Sequence, residues 1–239
     1  MKSNRKMFFG VLTLTAIVAA VAKAQGTFQN LDFESASLVP IPGGSRVQFA
    51  PAFPAWTGYV GGIQQTSALY NVAALDSSAI SIIDSSVSIQ FLSDAAQHVH
   101  GNFTTVLQAG FALGTFQPAD TTLAQTGLIP AGTQSLLFNA YTYIPNPGTF
   151  AVTLGGQALT LLPISTDPNS TLYGADIHAW AGQTADLAFT AFAQRPHASN
   201  IYLYLDSIQF SNQPIPEPSM FGLFALGALL GLRFVRARR

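Results

Sequence analysis

From residue 27 to residue 211 the chain alternates apolar and polar positions in short runs. Val87, Ile89 and Phe91 alternate with Ser86, Ser88 and Gln90, the pattern of a strand with one buried face. Phe150, Val152 and Leu154 alternate with Ala151 and Thr153; Gly155-Gly156 then signals a hairpin, with the return strand over 157–162. Strands are also predicted over 79–84, 134–143, 185–192 and 201–210, one or two within 103–124, and a short one over 173–178. The opening stretch 27–34 reads as extended. Phe28, Asn30, Asp32 and Glu34 then lie on one side, and Leu31 and Phe33 can face a core. Residues 39–54 and 163–170 read as loops, and 127–132 and 143–148 as turns, from their Pro, Gly and polar content. No long amphipathic helix and no internal repeat is visible. Short strands with a turn every ten residues or so predict an all-β fold, an antiparallel β-sandwich.

The two ends break this pattern. Lys2, Arg5 and Lys6 precede an apolar run from residue 7 to residue 20, and Ala22-Lys23-Ala24 follows. This is the layout of a secretory signal peptide, predicted over residues 1–24 as an apolar helix, with cleavage between Ala24 and Gln25 after export by the Sec machinery. At the other end stand Pro216-Glu217-Pro218-Ser219, an uncharged apolar run over 220–232, and Arg233, Arg236, Arg238 and Arg239. A transmembrane helix is predicted over 219–235, overlapping a basic tail over 233–239. The run is shorter than the usual ~20 residues of a membrane span, but snorkelling arginines extend it. Arginines after the helix place the C-terminus in the cytoplasm and residues before 216 outside. Pro216 and Pro218 keep the motif extended, a shape a protease can bind. The expected organisation is a signal peptide (1–24), a β-sandwich (25–213) and a C-terminal signal (214–239).

Composition changes once the ends are set aside. The whole chain is near neutral at −1, but the body keeps only Arg46 and Arg195 against ten acids, a balance of −8. Such a body argues against nucleic-acid binding and against docking on anionic lipid. The chain has no cysteine, so an exported body must hold its fold by core burial or by metal.

Candidate chemistry is sparse. His98 and His100 share one face of an extended segment, with Asp94 nearby, and could bind a metal or simply be loop histidines. Trp56, after a Pro-rich loop, is either a core plug or a stacking surface. No nucleophile elbow, Walker loop, dinucleotide fingerprint or His-Glu-x-x-His occurs, and ten acids form carboxylate pairs only by chance. The expectation is a protein that is not an enzyme.

Two resemblances follow from these residues. The tail, with Pro216-Glu217-Pro218 ahead of the apolar run and the arginines, resembles a PEP-CTERM sorting signal of Gram-negative bacteria. That resemblance implies recognition by exosortase, a membrane protease-transpeptidase, at Pro216, Glu217, Pro218 and Ser219. It also implies a precursor held transiently in the inner membrane and a mature form at the cell surface or in the exopolysaccharide matrix.

In the body, Asn30-Leu31-Asp32-Phe33-Glu34, Trp56, the stretch 175–184 and the closing Tyr204-Leu205-Asp206-Ser207-Ile208-Gln209-Phe210 look like the galactose-binding-like jelly roll of many carbohydrate-binding modules. In that family the first and last strands meet, and carboxylates of the opening and closing motifs help to hold a structural calcium. Carried over, these are Glu34 and Asp206. The ligand aromatics would include Trp56, Tyr59 and Trp180, and the partner an extracellular polysaccharide. Alternative readings are a secreted glycan-active enzyme and a plain membrane-anchored envelope protein that is never cut.

Overall fold

The computed structural model describes residues 27–74, 76–86, 98–115, 117–142, 149–193 and 201–215. The signal peptide, the sorting tail and all but the first residue of the strand expected over 86–91 lie outside these. The first strands are β1 (Pro40–Ile41), β2 (Arg46–Gln48), β3 (Thr57–Val60), β4 (Ile63–Gln64), β5 (Ser67–Tyr70), β6 (Ala79–Asp84), β7 (Phe103–Phe111) and β8 (Pro118–Ala119). They are followed by β9 (Thr121–Leu128), β10 (Ser135–Thr142), β11 (Phe150–Leu154), β12 (Gln157–Ala158), β13 (Leu162–Asp167), β14 (Ser170–Asp176), β15 (Thr184–Ala191) and β16 (Ile201–Ser211). Helix is confined, among the described residues, to α1 (Phe49–Ala52) and the 3-10 turn at His178–Trp180. Neither crosses a membrane, and no other helix long and apolar enough to do so occurs among the described residues.

The strands form two sheets. The larger runs β1-β2-β5-β6-β7-β16-β10-β14-β13, with β8 beside β7; the smaller runs β12-β11-β15-β9-β3-β4. Every named strand pairing is antiparallel except β5–β6. The fold is a β-sandwich.

Alternation decides which face each strand buries. On β9, Leu123 and Gln125 are buried and Ala124 and Thr126 point outward; on β15, Leu187 and Phe189 are buried and Asp186 and Ala188 are not. Leu107, Phe138, Leu203 and Leu205 of the larger sheet meet Leu123, Val152, Leu187 and Phe189 of the smaller in one core. β7 and β16 bury both faces, because a second cluster covers the outside of the larger sheet. There Ile83, Val106, Tyr202 and Tyr204 lie under Ala73 and Val99 of the neighbouring loops. This second layer positions the candidate site.

Several expectations are corrected. Residues 27–34 do not form a strand. Asn30 and Phe33 adopt φ of +50° and +59°, which folds the segment into turns, and the Asn30 side chain accepts the Ser35 N–H at 2.9 Å. Phe28, Leu31 and Phe33 are all buried as a result, on no common strand face. Residues 163–170, read as a loop, belong mostly to β13, an exposed edge strand. The return strand expected over 157–162 is only β12, two residues long. Residues 39–54 carry β1, β2 and α1 in place of a plain loop. The expected strands over 79–84 and 201–210 appear as β6 and β16, and those over 134–143 and 185–192 as β10 and β15. Gly155 and Gly156, at φ of +56° and +78°, make the β11–β12 turn.

Candidate functional site

The closing strand carries Asp206 at a bulge. Gln209 pairs with Leu137 and Asp206 with Asn139, so Ser207 and Ile208 together oppose a single residue of β10, and Ser207 takes φ +52°. Leu203 and Leu205 point into the main core and Tyr202 and Tyr204 into the outer cluster. Asp206 continues the outward series, yet it is 0% exposed. Residues 98–104 cover it. Its Oδ2 accepts the His100 N–H at 3.2 Å and the Thr104 hydroxyl at 2.8 Å, and its Oδ1 accepts the Ser207 N–H at 2.6 Å.

Glu34 grips the next residues of that segment. Its Oε1 accepts the N–H groups of Asn102 and Phe103 at 2.7 and 3.0 Å, and its Oε2 accepts the Asn102 side-chain amide at 2.7 Å. Between the two anchors Gly101 has φ +64°, and a Cβ there would run into Glu34 Oε1. The opening and closing motifs touch directly as well, through the Ile208 N–H on the Leu31 carbonyl at 2.9 Å. The structure therefore brings Glu34 and Asp206, far apart in sequence, onto one short segment. The sequence draws attention to this segment only through His98 and His100; that its backbone holds the two carboxylates is signalled by nothing beyond Gly101-Asn102, a turn pair with no special spacing.

The two carboxylates titrate in opposite directions. Burial pushes Asp206 up to about 7, against the Thr104 hydroxyl and the Ser207 and His100 N–H groups, and the Glu34 charge pushes the same way. Burial also acts to raise Glu34, but the Phe103 and Asn102 donors outweigh it, and its carboxyl lies below the usual range. A neighbouring acid is held lower still. Burial opposes ionisation of Asp84, but hydrogen bonds from Ser86 and Tyr70 hold it down to about 2.

Calcium is the metal whose chemistry two carboxylates would suit, although all four of their oxygens already accept hydrogen bonds here. Carboxylate is its preferred ligand, and a buried carboxylate pushed up by burial and by a like charge is the environment a cation relieves. Six to eight oxygens are needed. Among the described residues no third acid, histidine or cysteine joins the pair, so the remaining oxygens would be backbone carbonyls and water. Part of each carboxylate is already taken by N–H donors.

The other expected residues are dispersed. Trp56 is 4% exposed and lies in the core. Its ring stands 5.8 Å from Phe33 and 6.4 Å from Phe189, and its Nε1–H donates to the Asn30 carbonyl at 3.0 Å. The tryptophan is a core plug and offers no stacking surface, which corrects its assignment as a ligand residue. Tyr59 is half-buried on the outer side of the smaller sheet, paired with Thr122, which in turn pairs with Thr190 near the end of β15. Trp180 is half-buried beside Gly155 of the β11–β12 turn, which also neighbours Ala185 at the start of β15. These two do not form one platform. His98 leaves its Nε2 buried without a partner, and His100 uses its backbone, not its ring, on Asp206. Asp94 and the processing residues Ala24, Gln25, Pro216, Glu217, Pro218 and Ser219 lie outside the described residues.

No protein-family model matches the sequence, and no curated protein matches it. Among solved structures, the chain is similar to TmCBM61 in complex with beta-1,4-galactotriose, at 9% identity and a TM-score of 0.37, over 80% of this chain and 100% of that one. It is also similar to the enzymatically active domain of Bacteriophage CBA120 tailspike protein 4, at 11% identity and a TM-score of 0.35, over 66% of this chain and 19% of that one. Both scores are low, and the fold is defined by the strand pairing given above.

Proposed function

We propose that this chain is an exported, non-catalytic surface protein of a Gram-negative bacterium, sorted by exosortase through Pro216-Glu217-Pro218-Ser219. Its β-sandwich is delivered to the cell surface or the exopolysaccharide matrix, where it serves as a structural or glycan-binding component. The observation that carries this reading is the order of the tail: motif, apolar run, arginine cluster. The motif starts at Pro216, and only the short spacer 212–215 separates it from the end of the last strand, β16, at Ser211. The glycan side of the proposal draws on the opening and closing motifs and on their convergence over residues 98–104. Glu34 and Asp206 would hold the calcium there, and the ion would supply a cross-link between the two ends of a body without disulfides.

The test is the intact mass of the protein recovered from the surface or matrix fraction of its host. A species running from Gln25 to a residue between 216 and 219 is expected. A species still carrying Arg239 would refute sorting and leave an anchored envelope protein.

A further inference from the structure

A cavity of about 500 Å³ lies beside the crossover from β5 to β6, between the β3–β4 turn and the turn after β7. We infer that it binds a small amphipathic carboxylate, a carboxyl group carried on an unbranched or lightly branched apolar skeleton, with Arg46 as the residue that holds the charge. The inference stands independently of the glycan reading.

The volume lies within the range of small-molecule sites. The walls are mostly aliphatic, from Val60, Ile63, Leu69, Val72 and Leu113 with several alanines. Two rim residues are among the most exposed large apolar side chains of the described body, Ile63 at 71% and Leu113 at 78%. Scattered apolar exposure needs no explanation, but two such residues on the lip of one apolar cavity make a continuous surface.

The polar groups select the ligand class. Among the described residues, no aromatic and no acid lines the cavity. Ser78 is already committed, its hydroxyl donating to the Ala119 carbonyl at 2.6 Å and accepting the Gly110 N–H at 2.8 Å. The Thr115 hydroxyl donates to the Ala112 carbonyl at 3.1 Å, and the Gln65 amide to the Ile63 carbonyl at 2.8 Å. The described lining offers a sugar no ring to stack on and few free partners for its hydroxyls. Arg46 differs. Its Nη1 donates to Ser67 Oγ at 3.0 Å, and no carboxylate among the described residues pairs with it. In a body with ten acids and two arginines, one arginine lines an apolar cavity whose described lining holds no acid. A guanidinium offers a planar fork of donors matched to a carboxylate, with most of it still available.

The experiment uses the full-length chain in its host membranes and surface fraction, with a diazirine-bearing octanoate as probe. After irradiation, the labelled peptides are mapped by mass spectrometry. Labelling is expected on the stretches holding Ile63, Val72 or Leu113, with an excess of octanoate removing it and equal excesses of octan-1-ol or glucuronate removing much less. Arg46→Met should cut labelling about tenfold or more, the range of a lost charge-assisted hydrogen bond. Arg46→Lys, which keeps the charge, should retain part of it, which separates loss of recognition from loss of folding. Undiminished labelling in Arg46→Met overturns the proposal, as does labelling confined to other surfaces. Competition by glucuronate equal to that by octanoate would make the cavity a sugar-acid site, and equal competition by octan-1-ol would make it a nonspecific apolar patch; either result also overturns it.

Discussion

At the scale of single residues, Asp206 governs how the body responds to pH. In an unfolded chain an aspartate titrates near ~3.9, whereas burial raises Asp206 to about 7 in the fold. Between those values the folded form holds the extra proton. In chelator, the contribution of Asp206 to stability is therefore full below the unfolded value and is lost as pH rises through about 7. Thermal unfolding followed from pH 4 to pH 8 in EGTA should show this decline, and Asp206→Asn should flatten it. Added calcium should raise the melting temperature most at the alkaline end, because the ion holds the carboxylate ionised; no response to calcium at any pH would remove the metal from the proposal. Trp56 offers a second check. Trp56→Ala should cost about 3–5 kcal/mol, since it empties a space between Phe33 and Phe189 and orphans the Asn30 carbonyl. Denaturant unfolding measures it, and a loss below about 1 kcal/mol, the size of a surface change, would contradict the core assignment. The family resemblance names Glu34 and Asp206 as calcium ligands; what the structure shows is that both carboxylates hold residues 98–104. Their environment was not legible in the sequence, because most of the groups that satisfy them are backbone N–H groups, which nearly every position of a sequence possesses; side-chain donors such as the Thr104 hydroxyl and the Asn102 amide are the exceptions.

Strands and turns tell a related story. Where a strand has one buried face, as in β11 and β15, the sequence names it correctly; β9 is only half anticipated, because its last two residues read as a turn. The opening motif defeats the same rule because two left-handed residues, Asn30 and Phe33, turn the chain and let neighbouring apolar side chains enter the core together. β13 is missed for the opposite reason: it lies exposed at a sheet edge, so its sequence carries no apolar signature. Close packing between elements is equally silent in the sequence. Gly58 on β3 faces Phe49 and Ile80 so tightly that an added Cβ would overlap both side chains. Gly58→Ala should therefore destabilise the body by about 1–3 kcal/mol, read from its denaturation midpoint. A neutral result would mean that α1 and β6 yield without cost. Gly101→Ala is expected to act differently. It displaces Glu34 from residues 102 and 103, so it should weaken any calcium-induced rise in melting temperature more than it weakens the calcium-free fold.

On the scale of the whole molecule, the sixteen strands among the described residues fall within residues 40–211. A chain of residues 25–215 should accordingly give a β-type circular dichroism spectrum and one cooperative thermal transition. A broad, non-cooperative transition would mean that the ends contribute to the fold. The order of strands in space has a further consequence for timing. β16, the last strand made, lies in the middle of the larger sheet, hydrogen-bonded to β7 on one side and β10 on the other. Until residue 211 is released, that sheet exists as two separate halves with their inner edges open, and Leu203 and Leu205 are missing from the core. If the chain is exported from its N-terminus, as proposed above, it cannot complete its sandwich in mid-passage; the two halves close only once the final strand arrives.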